Sequence, residues 1–117
     1  MDNWNEIDRH HLGKYEIVTS IRPEEIHPAE LFDDTCHNIA EIVDKIDREV
    51  WEWFCARVQV FIGGHEFGTD YLGGCLYENS KDFLNLNDYW GDMIFRATAE
   101  ADTALNKFLA DMAKEAA

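Results

Sequence analysis

Apolar residues recur clearly with a period of two over one stretch of the chain. Phe54, Ala56, Val58, Val60 and Ile62 alternate with Arg57 and Gln59, the pattern of a strand with one buried face. Gly63-Gly64 follows at once and supplies the positive-φ positions of a tight turn. The chain then returns through His65 to Leu72. The pattern predicts an antiparallel hairpin within Trp51 to Tyr77, with arms of about eight residues. A hairpin alone is marginal in water, so the flanking segments must cover its apolar face. Gly73-Gly74 interrupts the return arm and predicts a bulge or bend there.

The flanks carry helical spacing. From Thr35 to Val50, residues Ile39, Ile42, Val43, Ile46 and Val50 fall three and four apart on one stripe. Asp34 or Thr35 serves as the cap, and Glu41–Lys45 and Asp44–Arg48 make favourable i,i+4 pairs. From Asn87 to Glu115 a second, much longer helix is predicted. It starts at an Asn87 or Asp88 cap, and its stripe runs from Tyr89 and Trp90 through Met93, Ile94, Ala97, Ala101 and Leu105 to Phe108 and Met112. At 1.5 Å per residue it is roughly 42 Å long, more than a small sheet can cover. It must project, lie on the 35–50 helix, or meet a second copy of the chain through Phe108 and Met112.

Elsewhere the signal is weaker. Lys14 to Ile21 alternates faintly and offers a third, edge strand. Pro23 and Pro28 break any long element, and Pro28 suits a helix start. Asn79 to Asp82 caps a short turn holding Phe83 and Leu84. The expected fold is α+β in a single domain, 1–117: an antiparallel hairpin, with or without the third strand, packed against two helices, the C-terminal one long. Val58, Val60 and Ile62 should pack on Ile42, Ile46 and the long helix.

Charge narrows the function. The chain has 24 acidic and 10 basic residues, a formal net charge of −14, beyond the magnitude of about 2–8 aimed for in small designed domains. Direct binding to nucleic acid needs clustered Lys and Arg, and an anionic membrane surface repels such a chain. A charge-selected partner is therefore basic, and a nucleic-acid-binding protein is the obvious class; the plainer reading is that acidity only keeps the chain soluble. The polar, acidic N-terminus and the absence of an apolar run of eighteen residues favour the cytoplasm. Cys36, Cys55 and Cys75 form no CxxC and read as reduced, buried residues. His10-His11 and Cys36-His37 lack the four-ligand spacing of a zinc site, and a Cys75–His65 dyad has little to support it. No catalytic residue, metal or cofactor is expected.

Carboxylate pairs are frequent: Glu24-Glu25, Asp33-Asp34, Glu66 and Asp70, Asp88 and Asp92. Glu66 and Asp70 are expected on one face of an edge strand without a basic partner. Trp51 and Trp53 should seal one end of the core, and Trp4, in a polar tail, suits a docking anchor.

The segment GHEFGTDYLGGCLY, Gly64 to Tyr77, resembles a strand-then-glycine pattern of small proteins from phages and mobile elements. Together with the short, acidic character of the chain, it resembles anti-CRISPR and other anti-defence proteins. The resemblance implies a non-enzymatic inhibitor in the host cytoplasm. By DNA mimicry it would block the basic nucleic-acid channel of a defence complex such as a CRISPR effector. Glu24, Glu25, Asp33, Asp34, Glu66, Asp70, Asp88 and Asp92 are the candidate contacts. The alternative is a homodimeric structural or regulatory module without mimicry.

Overall fold

A computed structural model describes residues 3–32 and 38–116. They form an α+β fold, a four-stranded antiparallel sheet and helices, with a long helix at the C-terminal side. The strands are β1 (Asn5–Leu12), β2 (Tyr15–Pro23), β3 (Glu52–Ile62) and β4 (His65–Tyr77), paired in the order β1-β2-β3-β4. Between β2 and β3 come a short helix α1 (Pro28–Leu31) and α2 (Ile39–Asp47); α3 (Tyr89–Ala116) follows β4 and a 3-10 turn, Ser80–Phe83. Among the described residues no helix is long and apolar enough to cross a membrane.

The predicted hairpin is β3–β4. Gly63 and Gly64 have φ of +59° and +82°, both in the region that a two-residue turn between twisted strands demands. The faint alternation of Lys14 to Ile21 is β2. It is not an edge: it lies between β1 and β3, pairing Ile17 with Val60 and Thr19 with Val58. The outer strand β1 comes from the polar segment in which no strand was expected. An edge strand needs no apolar alternation when its polar side chains find partners, and here they do. Arg9 reaches Glu6 at 2.7 Å and Glu16 at 3.0 Å, His11 lies 3.5 Å from Glu16, and His10 meets Asp8 at 2.7 Å.

The core lies between one sheet face and α3. Phe54, Ala56, Val58, Val60 and Ile17 face Trp90, Met93, Ile94, Ala97 and Ala101, with Phe83 closing one end. Trp90 Nε1 donates to the buried Thr19 Oγ1 at 2.8 Å, so these two polar groups satisfy each other, as burial requires. Ile62 is half-buried at the margin. Ile42 and Ile46 do not join this layer. Helix α2 starts at Ile39, capped by the Asn38 side chain, which accepts from the Glu41 amide at 3.1 Å. The expected caps Asp34 and Thr35 lie outside the described residues. Its stripe turns to the end of the sheet: Ile42 lines one cleft with Phe32, Gly74 and Tyr89, and Ile46 another with Pro23 and Trp53.

Two bulges shape β4. Val60 pairs with Gly68 and Phe61 with Glu66, leaving Phe67 as an extra residue. Phe54 pairs with Cys75 and Ala56 with Leu72, so the anticipated irregularity at Gly73-Gly74 is present, with Gly74 at φ +66°. Glu24 fastens that second bulge. Its carboxylate accepts from the Gly74 amide at 2.9 Å, the Cys55 thiol at 3.0 Å and the Ile26 amide at 3.1 Å. Burial acts to raise its pKa, but these hydrogen bonds outweigh it and hold the carboxyl below its usual range.

Two stability predictions follow from these contacts. A Cβ at Gly68 would overlap the Ala97 carbonyl oxygen and crowd the Ala101 methyl, so Gly68→Val should cost about 3 kcal/mol or more by prying α3 off the sheet; denaturant unfolding measures it. Glu24→Gln should cost about 1–3 kcal/mol at pH 7. Because the folded pKa is depressed, the carboxylate's contribution is present above the unfolded value near 4.3 and is lost as pH falls through the folded one. The gap between wild type and Glu24→Gln in urea midpoints should therefore narrow between pH 5 and pH 3.

Candidate interaction surface

The C-terminal end of β2, the start of β3, the end of β4 and the start of α3 all meet at one end of the molecule. Local hydrogen bonds gather the connecting segments there. The Glu24 amide donates to the Trp53 carbonyl at 3.2 Å, Trp53 Nε1 donates to the Ile26 carbonyl at 2.8 Å, and the Ser80 amide donates to the Glu52 carboxylate. Residues 24–32, 38–52 and 78–92 thereby form a single pole. They contain twelve acidic and three basic residues, a net of −9 out of the −14 of the whole chain.

Two of the three cations are already engaged within α2: Lys45 lies 3.3 Å from Glu41, and Arg48 3.2 Å from Asp44. Lys45 also sits over the Trp51 ring, 4.3 Å from its centroid. Glu25, Glu30, Asp47, Glu49, Glu52, Glu78, Asp82, Asp88 and Asp92 are exposed and form no ion pair with another described residue. Within about a Debye length of 8–10 Å such charges reinforce one another.

A cleft of about 650 Å³ opens in this pole. Glu49, Glu52 and Glu78 line it together with Trp51, Trp53, Ile46 and Arg22. The walls are aromatic, and three carboxylates face one guanidinium, that of Arg22, which lies over the Trp4 ring at 4.7 Å; the excess of carboxylates beside indole rings suits a cationic side chain with an apolar stem. Glu49 is held at φ +60°, just past the end of α2, where glycine is the usual occupant. Its amide donates to the Ile46 carbonyl at 3.0 Å. A side chain in this region costs about 1 kcal/mol or more relative to glycine, yet here it places a carboxylate at the cleft.

Of the residues expected from sequence, Glu25, Asp88 and Asp92 are exposed on the pole. Asp33 and Asp34 lie outside the described residues. Glu24 is consumed by the Gly74 bulge and is not a free contact. Glu66 and Asp70 do not share a face. The extra residue Phe67 reverses the alternation between Glu66 and the rest of β4, so Glu66 meets Gln59 at 3.3 Å and the Thr69 hydroxyl, whereas Asp70 turns toward α3 and pairs with Arg96 at 3.0 Å. Trp4 is not a free anchor either: its ring lies 4.7 Å from the Arg22 guanidinium, 4.5 Å from that of Arg57 and 6.0 Å from Tyr71.

Sequence reading missed Glu49, Glu52, Glu78 and Asp82. The hairpin itself carried a partial signal for two of them, since a turn at Gly63-Gly64 returns the chain to the level of Glu52 a few residues before Glu78; the two bulges set the final pairing of Glu52 with Tyr77. As for nucleophiles, burial pushes the Cys75 thiol up to about 12, and burial with the neighbouring Glu24 pushes Cys55 up to about 11. Both are held as thiols at neutral pH, the unreactive form.

Comparison with family models, curated proteins and solved structures finds no match for this chain.

Proposed function

We propose that the protein is an acidic inhibitor that seats its negative pole on a basic, nucleic-acid-binding surface of another protein and competes with the nucleic acid there. The observation that carries this reading is the gathering of nine of the fourteen net negative charges at one end, around a tryptophan-walled cleft. Charge that served solubility alone has no reason to concentrate so. Duplex DNA presents one charge per ~1.7 Å of axis; the pole reproduces part of that density, and the cleft adds a pocket for a single Lys or Arg side chain. Complementary charge steers encounter and sets on-rate more than lifetime. A side chain buried against the tryptophans of the cleft supplies what charge alone does not, a contact that slows dissociation. The resemblance of Gly64 to Tyr77 to anti-defence proteins makes a CRISPR effector in the host cytoplasm the first target to try.

Competition gel shifts and plasmid-targeting assays across CRISPR types test the proposal. Wild-type protein should release DNA or guide RNA from the susceptible complex, with affinity falling steeply as salt rises. Reversing Glu49, Glu78 and Asp82 together to Lys should weaken binding about tenfold or more, mostly in on-rate. Glu66→Lys, at the far end of the sheet, should change it little. Unchanged affinity in the triple reversal, or no nucleic acid released from any complex, removes the proposal. Glu49→Gly separates function from folding. It should raise stability by about 1 kcal/mol, by relieving the left-handed residue, while weakening partner binding; a variant that gains stability and binds as before would show that Glu49 takes no part.

A further inference from the structure

The end opposite the acidic pole is built differently. Helix α3 leaves the sheet near Ala101, where Asp102 accepts from the Tyr15 hydroxyl at 2.6 Å and pairs with Lys14 at 3.3 Å. Residues 106–116 then run on, exposed throughout, for about 16 Å. The radius of gyration is accordingly 17.6 Å, with a longest dimension of 63 Å, against roughly 13 Å for a compact chain of this size.

This projecting segment is not a polar tail. Ala101, Leu105, Phe108 and Met112 follow spacings of four, three and four, the seam of a helix that packs against another helix. Phe108 and Met112 are 50% and 51% exposed, and Leu109 beside them 53%. Ala101 is buried against the sheet at Gly68, and farther along Phe67 stands edge to face with Phe108, ring centroids 6.1 Å apart. The charges identify the occupant. From Ala104 to Ala116 the chain carries Lys107, Lys114, Asp111 and Glu115, a net charge of zero. A strongly basic partner finds no excess of negative charge there. A second copy of a chain of charge −14 is repelled almost everywhere else, and this neutral, apolar end lies as far as the fold allows from the pole.

We infer that the protein is a homodimer in which the projecting ends of two α3 helices pair antiparallel, Phe108 of each copy packing on Met112 of the other. A two-fold axis at the level of Ala110 places these side chains opposite one another, where sulfur–aromatic contact is favourable. The antiparallel sense sends the two sheets, and with them the two acidic poles, to opposite ends; a parallel pair would set them side by side. If the poles bind as proposed above, the dimer engages two basic partners at once. The dimer itself does not rest on that reading.

Light scattering and small-angle X-ray scattering test the inference. The mass should rise from 13.6 kDa toward twice that value between about 1 and 100 µM. The maximum dimension should be on the order of 110 Å, two bodies of 63 Å sharing the overlapped segment. Dimerisation should hold or strengthen as salt rises, whereas capture of a basic partner should weaken, so either can fail without the other. Phe108→Glu and Met112→Glu change half-exposed positions; each should stay folded, with a melting temperature close to that of the wild type at about 1 µM, and give the monomer mass at about 100 µM. A monomer at 100 µM, a dimer that survives both substitutions, or a maximum dimension near that of one copy overturns it.

Discussion

The fold depends on how closely α3 approaches β4. Gly68 leaves no side chain between the strand and the Ala97–Ala101 turn of the helix, and this brings Met93, Ile94 and Trp90 down onto Ile17, Val58 and Val60. Small residues on both surfaces set the separation, and large ones on either side fill what remains, as close packing requires. The approach also fixes the direction of α3. The helix begins beside the end of β4, crosses the sheet, and runs on past the β1–β2 and β3–β4 turns, the last eleven of its 28 residues exposed.

That direction separates two kinds of surface. At the start of α3 the loops, α2 and the strand ends collect most of the excess negative charge. Self-repulsion there opposes folding, and it is met by local devices: ion pairs along α2, a carboxylate capping the amide of Ser80, and Glu24 bound by three donors. At the far end the charge is balanced and apolar side chains stand in solvent. As proposed, a basic partner would meet the charged head of the molecule, and a second copy of the chain its apolar tail. The fold holds the two too far apart for screened charges to interfere with one another.

Strain and irregularity fall at positions with consequences for this division. Glu49 occupies a left-handed position at the cleft, where glycine would be less costly. The bulge at Phe67 turns one phenyl ring toward α3 and sets the faces of Glu66 and Asp70 apart, while the bulge at Gly74 supplies the amide that Glu24 takes up. Each is one residue out of register, and each decides which carboxylates remain available to a partner.

The sequence by itself determined whatever is periodic or local. The alternation from Phe54 to Ile62, the Gly63-Gly64 turn and the stripe of α3 each follow from neighbours along the chain, because strand and helix geometry repeat every two or 3.6 residues. The tertiary structure decided the rest. The polar segment Asn5–Leu12 became a strand only because β2 offered a free edge and Glu16 a partner for Arg9 and His11. Lys14 to Ile21 became an inner strand for the same reason. The faces of Glu66 and Asp70 were decided by a bulge, which reverses parity without marking composition. Glu24 was withdrawn from the surface by Gly74, fifty residues away, and the acidic pole was assembled from three separate segments. A charge pattern spread over such segments has no period along the chain, because the distances that matter to it are measured through space.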